Sequence, residues 1–210
     1  MRLVLRSPFR RAIFAGAATL AAGGLLVAGA GAASAATHVH AKYKVTGSTF
    51  IKAPNFTLPL GPGTLAVNLN PATGNLTANL ALPDATGSFL QFGVIPVTAT
   101  TRFVSNGPTT GKLNLNTGAV TTTSKITLQI VSLTVAGVSV PVGDGCETAS
   151  PVVVTVKSQK GFNVLAGGNL AGSYSIGSFQ DCGLATLLIN ATIPGPGNTI
   201  TLTLGKAHIG

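Results

Sequence analysis

The residues that follow Thr37 alternate between apolar and polar side chains, and this period of two constrains the fold more than any other feature of the chain. Within residues 39–45 every odd-numbered side chain is apolar and every even-numbered one is His or Lys. Within residues 199–204 threonine alternates with Ile or Leu. Such alternation places one face of a β-strand in the core and the other in water. The same pattern recurs in residues 65–69, 76–82 and 126–130.

Short turn sequences separate these predicted strands. Residues 71–74 read Pro-Ala-Thr-Gly, residues 84–87 read Asp-Ala-Thr-Gly and residues 116–118 read Asn-Thr-Gly. Glycine supplies a positive φ in such turns, whereas Asn, Asp and Pro favour the bend. The apolar positions also shift by one between Ile130 and Val131, which predicts a β-bulge.

The fold class follows from the number of strands and from the lack of helical patterns. No stretch after residue 37 shows the i, i+3, i+4, i+7 spacing of an amphipathic helix. About ten strands without intervening helices predict an all-β fold. We expect a single domain over residues 37–210, an antiparallel β-sandwich with a β-barrel as the alternative.

The first 36 residues are typical of a secretory signal peptide. Four arginines lie within the first eleven positions, and residues 12–36 carry no charge and end in the small-residue sequence Ala33-Ser34-Ala35. The pair Arg10-Arg11 leaves both the general secretory and the twin-arginine routes open. An uncleaved membrane anchor is the alternative, since the apolar run is long enough to span a bilayer. We expect the protein to be extracellular or in the cell envelope.

Removal of this segment lowers the net charge of the chain. The whole chain has 13 Lys and Arg against 4 Asp and Glu, a net charge of +9. Without the four signal arginines, nine basic and four acidic residues remain, a net charge of +5. The remaining cations are scattered along the chain, and two Tyr with no Trp give little aromatic surface for stacking bases. Nucleic acid is therefore not an expected partner.

The two cysteines, Cys146 and Cys182, predict one disulfide. An even number of cysteines in an exported chain favours a bridge. Closing the loop between them contributes roughly 3–4 kcal/mol in the loop-entropy treatment. Two free buried thiols or a metal-binding pair are the alternatives, although the Cys-x-x-Cys spacing of redox and zinc sites is absent from the sequence.

The sequence contains few residues that could perform acid–base chemistry. Its acids are Asp84, Asp144, Glu147 and Asp181, and its histidines all lie near the ends of the mature chain. General acid–base catalysis needs such groups in pairs, and no Gly-x-Ser-x-Gly nucleophile sequence is present. We therefore expect no catalytic residues and no enzyme, with an exported hydrolase as the minor alternative.

Two weak metal-site hypotheses remain. Asp144, Glu147 and Asp181 flank the cysteines, so a disulfide would bring them close enough for their oxygens to bind Ca²⁺. Cleavage after Ala35 would place His38 third from a free amine, a pattern that binds Cu²⁺ or Ni²⁺. The simpler interpretation is that the acids occupy exposed turns and that His38 lies on the polar face of the first strand. Apart from this weak possibility of Ca²⁺, no cofactor is expected.

Three short segments resemble those of uncharacterised small secreted β-rich proteins of actinobacteria. They are Gly-Pro-Gly-Thr at 61–64, Pro-Ala-Thr-Gly at 71–74 and Cys-Gly-Leu-Ala-Thr at 182–186. The resemblance implies export and a β-rich fold, and it carries over no functional residue.

These observations favour a secreted or envelope-associated, non-enzymatic β protein with a binding or structural role. An extracellular carrier of an apolar or lipid ligand is one alternative, because residues 53–83 carry no charge and the mean hydropathy is +0.49. A membrane-associated or pore-forming β assembly is the other. The partner would be envelope lipid or another envelope protein.

Overall fold

Strands dominate the structure, a computed structural model that describes residues 38–210. Only one short helical segment interrupts them in this range. The strands are β1 Val39–Ile51, β2 Phe56–Leu69, β3 Asn75–Ala81, β4 Ala85–Gln91, β5 Ile95–Ser105, β6 Thr109–Leu113, β7 Val120–Val135, β8 Val138–Ser139, β9 Glu147–Thr148, β10 Val152–Ser158, β11 Gly168–Ile176, β12 Phe179–Gln180, β13 Gly195–Leu204 and β14 His208–Ile209. A 3-10 turn, Gly183–Ala185, leads directly into helix α1, Thr186–Thr192.

Eight strands close into an antiparallel barrel in the order β1-β13-β11-β10-β7-β6-β3-β2. A path through directly paired residues around the barrel leaves β1 at Thr49 and returns to β1 at Val39, a shear of ten residues. The path is Thr49, Ile200, Gly172, Val156, Thr122, Gly111, Leu76, Leu69, Val39. With ordinary strand rise and spacing, this shear tilts the strands by about 40° from the barrel axis. An eight-stranded barrel of this kind is just wide enough to be filled by side chains or to hold one small ligand.

Glycines allow the tilted strands to approach closely at two points of this ring. A Cβ atom on Gly111 or Gly172 would lie closer than 3.0 Å to the backbone carbonyl oxygen of Thr121 or Thr155, respectively. A glycine in a strand interior commonly marks such a close approach of another backbone.

The two ends of the barrel differ. One end, the mouth, contains the start of β1, the end of β2 and the strand β14, which pairs with β1. The turns at 70–74 and 114–119 lie at the same end. At the other end, β1, β2 and β7 continue beyond the barrel into a second packed region, the cap lobe. Residues 126–135 of β7 pair there with β5, and only Ile126 among them also pairs with a barrel strand, at Val152 of β10. Strand β5 in turn pairs with β4. The disulfide and α1 belong to the same lobe.

The alternation seen in the sequence sets the inside and outside of the barrel. Ala41, Tyr43 and Val45 of β1 are buried, whereas the intervening Lys42 and Lys44 are exposed. The buried residues join an apolar core in the barrel that includes Val154, Leu170 and Leu202. A separate core fills the cap lobe and includes Ile130, Leu133, Cys146, Phe179 and Ile189.

The prediction of an all-β, antiparallel fold with one disulfide is confirmed, and the structure has the barrel, the second of the two expected architectures. The predicted bulge is confirmed as well. Thr100 pairs with Ser132 and Thr101 pairs with Ile130, which leaves Val131 without a partner. The bulge turns Val131 outward and returns Leu133 to the core.

Helix α1 was not expected from the sequence. It has seven residues, two of them Thr and one Ile, and no side chain forms a hydrogen bond that caps its start. Such a short segment with β-branched residues carries almost no helical signal. The helix is stabilised by tertiary packing, because Ile189 is buried in the cap lobe and Asn190 bonds to the backbone of Phe179 at 2.7 and 2.9 Å.

Candidate ligand cavity

Three cavities follow one another along the barrel axis. The mouth cavity, about 110 Å³, is lined by Tyr43, Leu76, Ala78 and Leu113 and their neighbours. The middle cavity, about 70 Å³, is lined by residues that include Val45, Val154 and Leu202. The cap cavity, about 60 Å³, lies towards the cap lobe and is lined by residues that include Phe56, Phe89 and Ile193.

Adjacent cavities share lining side chains. The mouth and middle cavities share Leu65, Thr109, Thr122, Leu170 and Leu204. The middle and cap cavities share Thr49, Phe103, Leu128 and Tyr174. The middle cavity therefore adjoins both the mouth cavity and the cap cavity.

Small side chains help to explain the space in the mouth cavity. Ala41 of β1 and Ala78 of β3 point inward and are buried, yet each contributes only a methyl group. Protein cores are otherwise packed nearly as densely as organic crystals. Two alanines at inward positions of so narrow a barrel leave volume that the neighbouring Leu and Val side chains do not fill.

Five hydroxyl groups of the cavity walls are hydrogen-bonded within the protein. Thr109 Oγ1 and Ser124 Oγ lie 2.7 Å apart, and Thr49 Oγ1 and Tyr174 Oη lie 2.6 Å apart. Tyr43 Oη donates to the carbonyl oxygen of Val164 at 2.7 Å. No Asp, Glu, Lys, Arg or His within residues 38–210 lines any of the three cavities. The walls thus present hydrocarbon, which would accommodate an apolar guest.

The mouth cavity is covered by residues 159–167, the mouth loop. Phe162, Val164 and Leu165 of this loop line the cavity. The Tyr43 hydroxyl holds the loop at Val164, and the backbone N–H of Ala207 donates to the carbonyl oxygen of Leu165 at 2.9 Å. Two long-range hydrogen bonds therefore connect this loop to β1 and to the segment between β13 and β14.

Three turns of the same design surround the mouth. Each begins with an asparagine whose Oδ1 accepts hydrogen bonds from the second and third following N–H groups, and each ends at a glycine bonded back to that asparagine's carbonyl. The turns are residues 70–74, 114–118 and 163–167. Their glycines have φ of +73°, +72° and +88°, which a residue with a side chain rarely adopts. The signal in the sequence is Asn-x-x-x-Gly, which aligns Asn70 with Asn114 and Asn163.

Burial affects both tyrosines of the chain. Desolvation raises the pKa of Tyr43 above its usual value of 10.0. Desolvation also raises the pKa of Tyr174, and this effect exceeds the opposing hydrogen bond from Thr49. Both hydroxyls therefore keep their protons, and Tyr43 remains a hydrogen-bond donor to the mouth loop, well into the alkaline range.

This pKa change predicts a loss of stability at high pH. Because the folded state holds the two protons more tightly than the unfolded state, the stabilisation is complete below pH 10 and disappears as the pH rises through the raised folded-state values. In the double variant Tyr43→Phe/Tyr174→Phe, we expect the free energy of unfolding to depend less steeply on pH above 10. Urea unfolding of wild type and variant at a series of alkaline pH values measures this. Equal slopes for the two proteins would contradict the assignment, because the two proteins differ only in these tyrosines.

The structure joins the two predicted disulfide cysteines. Cys146 and Cys182 are bonded, with Cα atoms 4.2 Å apart, and both side chains are almost completely buried. They connect the segment before β9 to the segment after β12, two short strands that also pair with each other. The bridge therefore holds the cap lobe together.

The acidic residues near the disulfide are only partly brought together. Asp181 lies beside the loop that carries Asp144, since a Cβ on Gly145 would be 3.4 Å from the Asp181 Cβ. Glu147 instead accepts a hydrogen bond from Gln129 Nε2 at 2.9 Å. Over residues 38–210, no three His, Cys, Asp or Glu side chains form a group that could hold a metal ion. The calcium hypothesis remains a prediction from sequence.

His38 is the first residue that the structure describes, and it is exposed. The amine and peptide nitrogens that the copper or nickel hypothesis requires belong to residues outside the described region. The predicted signal peptide, residues 1–36, lies outside it as well. The fourth acid, Asp84, forms an exposed bidentate ion pair with Arg102, whose Nε and Nη2 atoms lie 3.1 and 2.9 Å from its carboxylate oxygens.

Together, the fold and the cavities define a closed eight-stranded barrel with a hydrocarbon-lined interior and a disulfide-bonded cap. No helix within the described part of the chain is long and apolar enough to cross a membrane. Comparison of the chain with models of protein families, with curated proteins and with solved structures gives no match.

Proposed function

We propose that this chain is a secreted or envelope-associated, non-enzymatic binding protein that takes up one apolar ligand inside its barrel. The observation that carries the proposal is the set of three adjoining cavities whose walls are mostly hydrocarbon and contain no charged side chain among the described residues. Apolar cavities lined in this way exclude water and accept apolar guests.

The shape of the space favours a linear chain over a ring system. Each cavity alone is too small for a drug-sized molecule, but the middle cavity adjoins the other two, so that together they form a series. Each buried methylene contributes about 0.8 kcal/mol, so ten of them would contribute about 8 kcal/mol before the cost of ordering the chain. Because about 8 kcal/mol corresponds to about 1 μM, subtraction of that cost gives an expected dissociation constant of micromolar or weaker.

The outer surface of the barrel supports a carrier rather than a pore. A membrane-spanning barrel has an apolar outside and a polar interior. Here the polarity is the reverse, since Lys42 and Lys44 face outward while Tyr43 and Val45 face inward. The predicted signal peptide and the disulfide favour an exported location, where envelope lipid would be the available source of apolar chains.

Titration with a fluorescent fatty acid tests the proposal. We expect saturable binding with one ligand per protein molecule, a blue-shifted emission typical of a dry environment, and displacement by unlabelled long-chain ligands. Native mass spectrometry of protein purified from its own host should show a co-purified lipid mass. A linear, non-saturable signal together with lipid-free protein would contradict the proposal.

A further inference from the structure

Charge is distributed unequally between the two ends of the molecule. Three of the four acids, Asp144, Glu147 and Asp181, lie in the cap lobe next to the disulfide. The fourth acid, Asp84, is neutralised by its ion pair with Arg102. Among the described residues, no Asp or Glu side chain lines the mouth cavity or belongs to the turns around it.

Lysines occur at the mouth instead. Lys112 lies on the outer face of β6 next to the inward-facing Leu113 at the mouth end of that strand, and Lys160 lies in the mouth loop two residues before Phe162, which lines the mouth cavity. Lys206 precedes Ala207, whose N–H is bonded to the mouth loop. All three side chains are exposed, and we refer to them as the rim lysines.

We propose that the ligand is an anionic amphiphile, bound with its hydrocarbon tail in the mouth and middle cavities and its anionic headgroup at the rim lysines. This inference rests on the proposed function and specifies the ligand class of the same site. An apolar cavity that lies near three exposed lysines, with no Asp or Glu side chain in its lining, has the two properties that such a molecule requires.

The two parts of the site have different physical roles. The hydrocarbon walls would bind any chain of suitable length, whereas the rim lysines would distinguish between headgroups. The lysine ammonium groups are exposed, so their attraction for an anion acts through water and is screened by salt. The positive potential at the mouth would also attract anionic ligands and repel cationic ones during association.

A set of dodecyl compounds with different headgroups tests this inference, used below their micelle concentrations at neutral pH. Dodecanoate and dodecyl phosphate carry an anion, dodecanol is neutral, and dodecyltrimethylammonium is cationic. Displacement of the fluorescent fatty acid gives the relative affinities. We expect both anions to bind about tenfold more tightly than dodecanol and the cation to bind most weakly, with the difference shrinking as the Debye length falls from about 10 Å at 0.1 M salt to about 3 Å at 1 M. Preference for one of the two anions would assign the rim to carboxylate or to phosphate.

Paired variants connect this preference to the rim. Lys112→Gln/Lys160→Gln should weaken dodecanoate binding about fivefold and leave dodecanol binding unchanged. The matched control Lys52→Gln/Lys125→Gln removes the same charge from exposed lysines in the β1–β2 turn and in β7, away from the mouth cavity, and should have a much smaller effect.

The outcomes separate the two proposals. If dodecanol binds as tightly as dodecanoate, or if the control pair weakens dodecanoate as much as the rim pair does, the headgroup inference is wrong and the apolar cavity remains. If none of the dodecyl compounds binds, the proposed function itself fails.

Discussion

Replacing Cys146 and Cys182 together by alanine is expected to lower the free energy of unfolding by about 3–4 kcal/mol. The bridge spans a sequence separation of 36 residues, and its removal allows the unfolded chain many more conformations. For a chain of this size, that loss corresponds to a decrease in melting temperature of roughly 8–15 °C.

Because the bridge lies in the cap lobe, its removal should destabilise the cap lobe more than the barrel. The two cysteines belong to the core of the cap lobe, where they pack with Ile130, Phe179 and Ile189. The barrel is instead closed by continuous hydrogen-bonded strands that do not include either cysteine. Hydrogen exchange should therefore accelerate first in β9, β12 and α1, and later in β1 and β13.

Thermal and urea unfolding of wild type and of Cys146→Ala/Cys182→Ala measure this effect, with reductant as the control. Reduction should destabilise the wild type by a similar amount and leave the double variant unchanged. A loss below about 1 kcal/mol would show that packing alone maintains the cap lobe.

Filling the mouth cavity is expected to abolish most ligand binding without unfolding the barrel. Ala78→Leu adds three carbon atoms at an inward position of β3, where the cavity has about 110 Å³ of free space. Because the added atoms occupy existing space, we expect a change in stability below about 1 kcal/mol rather than the 1–3 kcal/mol typical of an overpacked core. The affinity for dodecanoate should fall at least about tenfold, since the tail loses the volume that would bury it.

The matched control is Ala81→Leu in the same strand. Ala81 is exposed on the outer surface, so the same chemical change leaves the interior unaltered. The control should bind dodecanoate like the wild type. Unchanged binding by Ala78→Leu, in a protein that unfolds cooperatively, would place the ligand outside the mouth cavity.

The alternation of residues predicts the strands well because it reflects a local property, the inward or outward direction of each side chain. The bulge at Val131 was visible for the same reason. Closure into a barrel depends on the register of strands as distant in sequence as β1 and β13, and register cannot be read from either strand alone. Helix α1 was missed because its stability comes from the burial of Ile189 and the hydrogen bonds of Asn190.

The candidate site was less accessible to sequence reasoning. An apolar ligand was considered because residues 53–83 are uncharged, but the cavity results from small residues on separate strands, Ala41 and Ala78, that meet only when the barrel closes. The rim lysines could not be grouped from the sequence for the same reason. Lys112, Lys160 and Lys206 are distant in the sequence, and only the strand topology places them at the same end of the barrel. The cysteine pairing could be predicted because the chain contains only two cysteines.

Methyl NMR during titration with dodecanoate tests the central claim most directly, because it locates the ligand. The claim is that the tail enters the barrel, so the methyl resonances of Ala41 and Ala78 should shift progressively and saturate at one ligand per protein. Leu184 and Leu187, which are 98% and 84% exposed at the cap lobe, should not respond. Shifts confined to Leu184 and Leu187, with Ala41 and Ala78 unchanged, would show adsorption to the surface and contradict the account.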